Sequence, residues 1–257
     1  MKAPYEISNV WSRFAGVPME TFTKGWWYDR CKGTARQRTV DEMVEHRRMH
    51  GTGGNCFDLA LWLHHEFRTS GTPARIVGHD LCTPDAHVAV IAIDRTGSEF
   101  LCDLGDQWLQ PILVDTCSDA FSDGWHTGFF PGREVRILRS TDLLHVSYRR
   151  SNGKVGNQCY DLQPLSDDAL KLACHHSQNL LRRPFCEMLL PHPATGTTEH
   201  WEYDRGSSFW NLEGGAVVEE PCQTQGEWIA RIVLRTGISA DVISAAFTAD
   251  QGFAAQN

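Results

Sequence analysis

The spacing of apolar residues changes twice along the chain. In residues 1–72 it is helical. "RTVDEMVEHRRMH" puts Val40, Met43 and Val44 on one side, with Thr39 as N-cap and Glu42 as its capping-box partner, and glycines 51, 53 and 54 end the run. In "NCFDLALWLHHEFRTSG", Leu59, Leu63 and Phe67 recur every four residues with Trp62 alongside. Asn55 is a good N-cap, Asp58 supplies charge in the first turn and Gly71 is a candidate C-cap, so a second helix is predicted with Cys56 in its first turn. After Pro73 the pattern becomes that of strands: "ARIVGHD", "HVAVIAI" and "EFLCDLG", then "EVRILRS", "LLHVSYRR" and "NQCYDLQPL". These predict a mostly antiparallel sheet or small barrel. Helical spacing returns in "SDDALKLACHHSQNLLRR", capped by Ser166, and the tail carries a few strands and a closing helix around "SADVISAAFTA". No repeat or long linker separates these stretches, so packed lobes with sites between them are expected.

Composition narrows the class. The chain has 257 residues, 41% hydrophobic and 22% charged, with nine Trp and twelve Phe, which suffices for a large core. The formal net charge is −8, and the basic residues are scattered apart from short runs such as Arg47-Arg48 and Arg182-Arg183. That is no footprint for nucleic acid. No stretch approaches the roughly 20 apolar residues of a membrane span, and "MKAPYEISNVWSRF" lacks an apolar signal region, so a cytoplasmic protein without a membrane partner is expected. Nine cysteines without CxxC spacing read as reduced thiols. Cys174-His175-His176 is read as structural, because neighbours on a helix point to different faces and no second ligand pair is at hand; no metal is expected. Trp26-Trp27-Tyr28 reads as packing, His50 as a residue at the end of its helix, and His64 and His65 as too far along their helix for chemistry.

Three residues can meet. "HVAVIAI" and "EFLCDL" are joined by "DRTGS", a connection that suits a hairpin. With the turn centred near Arg95, paired residue numbers sum to about 190, so His87 faces Asp103 on one face of the sheet. A carboxylate beside an imidazole fixes its tautomer and stabilises its protonated form. Cys56 supplies the nucleophile: a helix N-terminus presents free N–H groups and a partial positive charge, which favour a sulfur anion and can hold an oxyanion.

"GGNCFD" followed by a helix, then "AHVAVIAI" and "EFLCDLGDQWLQPI", resembles the arylamine N-acetyltransferases, whose segments read like RGGxCFE, a strand opening with His, and DVGFG. "MVEHRRMHGTGG", "YDLQPLSDDALKLACHHSQNLLRRPF" and "WIARIVLRTGIS" extend the likeness over nearly the whole chain. The resemblance implies an α+β fold: an N-terminal helical bundle bearing the cysteine (1–72), a central antiparallel β-barrel bearing His and Asp (73–183), and a C-terminal α/β lid (184–257). Carried over by motif, Cys56 is the nucleophile, His87 the base and Asp103 the orienting acid, with Phe57, Gly105, Asp106 and Trp108 binding substrate. It implies acetyl-CoA or another acyl-CoA as co-substrate, a Cys56 thioester, and an arylamine, hydrazine or other small amine as acceptor. Glycines and aromatics between Trp201 and Gly215 would shape a CoA cleft. Three positions depart from the pattern, the mildest being Asp58 in place of the glutamate after Cys-Phe. Thr52 replaces the arginine before Gly-Gly-x-Cys, which predicts loss of a buried brace, and Asp106 replaces an aromatic, which puts charge where an arylamine ring would stack.

Two other readings compete. A transglutaminase-like amidase or amide-exchange enzyme would use the same triad order, and "GTPARIVGHD" looks much like that superfamily's strand after its own cysteine helix. A degenerate binding scaffold is the third, motivated by Thr52 and Asp106 and opposed by the intact Cys-His-Asp set. The sequence carries no signal for oligomeric state.

Overall fold

The computed structural model describes residues 2–32, 34–181 and 184–254, the last five as helix backbone alone. The Arg182-Arg183 run, at the expected boundary of the second and third lobes, lies outside the described residues. Helix α1 (Tyr5–Trp11), strand β1 (Met19–Glu20) and helices α2 (Phe22–Arg30), α3 (Val40–His50) and α4 (Cys56–Thr69) come first. Strands β2 (Ala74–His79), β3 (His87–Ile93), β4 (Glu99–Cys102), β5 (Ile112–Leu113), β6 (Trp125–Phe130), β7 (Arg133–Arg139), β8 (Leu143–Arg150) and β9 (Val155–Asp161) follow. Helix α5 (Asp167–Asn179) leads to β10 (Phe185–Pro191), β11 (Thr198–Asp204), β12 (Ser207–Leu212), β13 (Gly215–Val218), α6 (Gln225–Thr236) and α7 (Ala240–Ala254).

Local chemistry sets the helix ends. Thr39 and Asn55 each complete a capping box, with Glu42 and Asp58 respectively, and Ser166 caps α5 by accepting from the Ala169 N–H. Strand β6, with its mixed polar and aromatic alternation, gave no signal among the expected strands.

An eight-stranded antiparallel sheet runs β5-β4-β3-β2-β9-β8-β7-β6. It curls into a nearly closed barrel, its edges linked where Leu109 N–H donates to Phe129 O (2.9 Å) and the Gln110 amide to Gly128 O (2.8 Å). "HVAVIAI" is apolar throughout because β3 is buried on both sides. Ala89 and Ile91 face the barrel interior, while Val88, Val90 and Ala92 join Leu59, Leu63 and Phe67 of α4 in a second core.

A third core lies under the five-stranded antiparallel sheet β1-β10-β11-β12-β13. Phe22 and Trp26 of α2 pack there against Trp201, Trp228, Ile232 and Val242. The N-terminal segment therefore divides between two cores, α1 and α4 packing on the barrel and α2 on the C-terminal sheet. Gly25 permits this approach: a Cβ there would sit 3.0 Å from the Ala246 backbone of α7. Trp201 and Trp210 are buried, and both indole N–H groups donate to Glu219 (2.8 and 3.2 Å). These two tryptophans are core residues, without surface for a cleft.

Glu219 also accepts from Ser208 (2.6 Å) and from Arg235 of α6 (2.7 Å). Burial opposes its charge, but these donors hold its pKa down at about 2, from 4.5. A carboxylate whose folded pKa is depressed stabilises the fold above its unfolded pKa and loses that contribution as pH falls toward the folded value. Wild type should therefore exceed Glu219→Gln in stability by a constant margin above pH 4.5, and the margin should close between there and about pH 2. Urea unfolding across that range measures it.

Candidate active site

Cys56, His87 and Asp103 converge where the N-terminus of α4 meets the mouth of the barrel. Cys56 is the first residue of α4 and is partly exposed, while its N-cap Asn55 accepts from the Phe57 and Asp58 N–H groups (2.9 and 3.1 Å). Among the described residues the Cys56 N–H has no recorded acceptor, as the first N–H groups of a helix lack a partner within it.

The hairpin that joins β3 and β4 is displaced from the expected register. Asp94 Oδ1 accepts from the N–H groups of Thr96 and Ser98 (2.8 and 2.9 Å), which centres the turn on Thr96 rather than Arg95. Val90 therefore faces Cys102, and Ile93 faces Glu99. Both catalytic candidates keep the same face, but His87 reaches Asp103 along the diagonal. Its Nε2 lies 2.9 Å from Asp103 Oδ2. Past Cys102 the chain leaves the ladder and turns over residues 104–107, which brings Gly105 beside the His87 ring. A Cβ at 105 would fall 2.7 Å from Cys56 Cβ, 2.7 Å from His87 Cε1 and 3.3 Å from Asp103 Oδ1. Gly105 thus keeps open the point at which the three side chains meet.

Asp103 is fully buried, and Tyr160 Oη donates to its Oδ2 at 2.7 Å. Asp106 Oδ1 lies 3.8 Å from His87 Nε2, and its Oδ2 accepts from Tyr148 Oη (2.6 Å) and the Gln158 amide (3.0 Å). Burial disfavours the charged imidazole, yet Asp103, Asp106 and hydrogen bonds to Asp103 and Cys56 hold the His87 pKa well above 6.5. For the two acids burial pushes upward in both cases. At Asp103 it is outweighed by His87 and Tyr160, and the pKa falls; at Asp106 burial and the Asp103 charge prevail, and the pKa rises. One carboxylate is kept ionised beside the imidazole while the other holds a proton more readily. With Nε2 committed to Asp103, Nδ1 is the ring nitrogen left for the thiol. A paired imidazole and thiol of this kind can exchange a proton while sulfur attacks a carbonyl carbon.

Among the described residues, two groups bring metal-ligating atoms within 4.8 Å of one another, His87-Asp103-Asp106 and Glu187-His200-Glu202. In the first, Asp103 Oδ2 already accepts from His87 and Tyr160. In the second, both ring nitrogens of His200 are engaged, by Glu187 (2.8 Å) and Asn211 (2.8 Å). Each reads as a hydrogen-bonded network. In α5, Cys174 is buried, with burial pushing its thiol up to about 12, while His175 is exposed on another face. His50 lies edge-on to Trp26 (5.2 Å), and His64 bonds Ala74 O.

The four expected substrate-binding residues take different places. Asp106 lines a cavity of about 430 Å³, with Tyr148, Gln158, Arg133 and Glu187 also on its walls. Gly105 backs the three converging side chains. Phe57 and Trp108 are each 1% exposed: Phe57 packs in the core between α4 and the barrel, and Trp108 in the barrel, its indole N–H 3.2 Å from Tyr148 Oη. Neither has surface to offer a ligand, so that expectation is corrected.

The expected loss of a buried brace at Thr52 is also corrected. Arg38, just before α3, fills that role from another part of the chain. Its Nη2 donates to Gly53 O (2.9 Å) and to Asp58 Oδ2 (3.0 Å), and both charged side chains are essentially inaccessible. Asp58 also accepts from the amides of Gln37 (2.5 Å) and Gln178 (3.1 Å) and from the Asn55 N–H (3.2 Å). A buried charge stripped of its partner costs about 3–5 kcal/mol. Arg38→Met should therefore lower urea stability by that order and slow Cys56 alkylation. The double variant Arg38→Met/Asp58→Leu should recover part of the stability and leave the alkylation slow; a single variant as stable as wild type would sink this account.

No protein-family model matches the sequence, and no curated protein matches it. Solved structures do. Arylamine N-acetyltransferase from M. tuberculosis superposes with a TM-score of 0.71 at 12% identity, over 95% of this chain and 92% of that one. The Mycobacterium marinum arylamine N-acetyltransferase in complex with CoA gives 0.70 at 10% identity, over 95% and 91%. A Bacillus cereus arylamine N-acetyltransferase described as having a Cys-His-Glu catalytic triad gives 0.61 at 14%, over 90% of each. The chain therefore has the arylamine N-acetyltransferase fold, as its sequence resemblance implied. Among the described residues no helix is long and apolar enough to cross a membrane.

Proposed function

We propose that this chain, built on the arylamine N-acetyltransferase fold, is an acyltransferase that moves an acyl group from CoA to a small amine through a thioester on Cys56. The observation that carries the reading is the convergence of Cys56, His87 and Asp103 on Gly105, with His87 fixed by Asp103 and facing the thiol. The fold it shares with a CoA-bound relative agrees with the donor.

In the first half-reaction, His87 Nδ1 takes the Cys56 proton and Sγ attacks the thioester carbonyl carbon of the acyl-CoA. The oxyanion is met by the free Cys56 N–H at the head of α4. As the tetrahedral intermediate collapses, the C–S bond to CoA breaks and His87 returns the proton to the departing thiolate. In the second, the acceptor nitrogen attacks the acyl-Cys56 carbonyl, its proton passes to His87, and Sγ leaves as the amide forms. Asp103 stays ionised throughout and stabilises the imidazolium. An acceptor in the adjoining cavity meets Asp106 where related chains carry an aromatic, so the site favours polar amines over purely apolar arylamines.

Intact-protein mass spectrometry after brief incubation with acetyl-CoA and a panel of other acyl-CoAs tests this. Wild type should gain one acyl mass, Cys56→Ala none, and His87→Gln and Asp103→Asn should acylate at least about 100-fold more slowly. No adduct from any donor, with Cys56 still alkylated readily, would replace this reading with amide exchange. An unreactive Cys56 would favour a binding scaffold.

A further inference from the structure

The cavity beside His87 carries charges that the triad does not use. Asp106, Tyr148, Gln158 and Glu187 line it together with Arg133, Arg150 and Lys154, and Asp106 Oδ1 joins it to the triad, 3.8 Å from His87 Nε2. Phe130, Arg133 and Arg150 also line a second cavity of about 660 Å³, so the two guanidinium groups stand between the two spaces.

Arg133 and Arg150 lie directly opposite one another on β7 and β8. Like charges in that relation destabilise an antiparallel pair unless something compensates them. Burial and the Arg150 charge both press against ionisation of Arg133, while the charges of Glu187, Glu202 and Asp106 oppose them. Among the described residues neither guanidinium makes an ion pair or a side-chain hydrogen bond; Arg133 rests on the Phe130 ring at 4.3 Å. Other arginines of this sheet are satisfied: Arg149 pairs with Glu134, and Arg75 and Arg139 both pair with Glu99, each at 2.6 Å. Two opposed guanidinium groups with free N–H groups match the oxygens of a carboxylate, sulfonate or phosphate.

We propose that the acceptor is an amine that also carries an anionic group, its nitrogen at the Asp106 and His87 end of the cavity and its anion on Arg133 and Arg150, with Lys154 adding charge at the rim. This rests on the acyl-transfer reading. The shared chemistry, an anion on two arginines, would also suit the phosphates of CoA. Continuity of the arginine wall with Asp106 in a space sized for a small molecule assigns it to the acceptor.

The test separates the two half-reactions. Acyl-enzyme is made with p-nitrophenyl acetate, freed of excess donor, and its deacylation is timed with matched amines: para-aminobenzoate against para-aminobenzamide, and β-alanine against β-alaninamide. The anionic member of a pair should deacylate wild type faster by about tenfold or more, and Arg133→Gln/Arg150→Gln should bring the pair to near equality. Equal rates in wild type, or a preference that survives the double variant, would overturn the proposal. A variant that acylates slowly from acetyl-CoA but normally from p-nitrophenyl acetate, with amine preference unchanged, would give the arginines to CoA instead. Thermal shift of the untreated protein with benzoate against benzamide needs no acyl-enzyme. Stabilisation by benzoate, lost in the double variant, supports the anion site even where acylation fails. No shift together with no acylation overturns both readings.

Discussion

The buried Arg38–Asp58 pair is the constraint on which the site depends. Asp58 is three residues past the N-cap of α4, and its neighbours come from everywhere the chain must be brought together: Asn55 from the same turn, Gln37 and Arg38 from the loop before α3, Gln178 from α5 beyond the barrel. An ion pair with both partners out of water is tolerated only when the remaining donors and lone pairs are satisfied. Here most of those of Asp58 are. Arg38 in turn holds the Gly53 carbonyl, fixing the glycine turn that delivers Cys56. The position of the sulfur therefore depends on the assembly of three separate stretches of chain.

The barrel supplies the other half with less freedom than it might have had. Strand β3 is buried on both faces, so a slip of one residue would exchange its two apolar sets and turn His87 away. A displacement of two keeps the face, and that is the shift the Asp94 turn imposes. The turn that follows β4 then brings position 105 against the His87–Asp103 contact, where only glycine leaves room. Turn chemistry, strand burial and one missing Cβ thus set the same geometry from three sides.

Much of this was legible in the chain and some was not, for physical reasons. The α3 and α4 caps, the strands from β2 to β4 and from β7 to β9, and the shared face of His87 and Asp103 follow from local spacing, to which short-range patterns answer well. The two-residue difference in register comes from Asp94, whose carboxylate caps its own turn and moves the centre to Thr96. Arg38 was invisible as a brace because nothing local ties position 38 to position 58; a motif reading saw only Thr52 where an arginine was expected. The resemblance implies substrate roles for Phe57 and Trp108, whereas their apolar bulk takes them into cores. Tyr148, Tyr160 and Gln158 are spread over β8 and β9, and only the closure of the barrel brings them under the two acids.

Those three residues explain how the site tolerates Asp106. A carboxylate in place of an aromatic would ordinarily be a poor neighbour for Asp103, since two adjacent buried acids cannot both ionise cheaply. Tyr148 and Gln158 meet one oxygen of Asp106, Tyr160 meets Asp103, and His87 faces both, so the pair is divided into an ionised member and one that holds its proton more readily. The charge added by Asp106 is thereby absorbed without loosening the hold of Asp103 on His87. The wall next to it then becomes polar rather than aromatic, with Arg133 and Arg150 lining the same cavity. The substitution that weakens the case for an apolar arylamine is thus the one that joins a carboxyl group beside the base to a space that also holds two guanidinium groups.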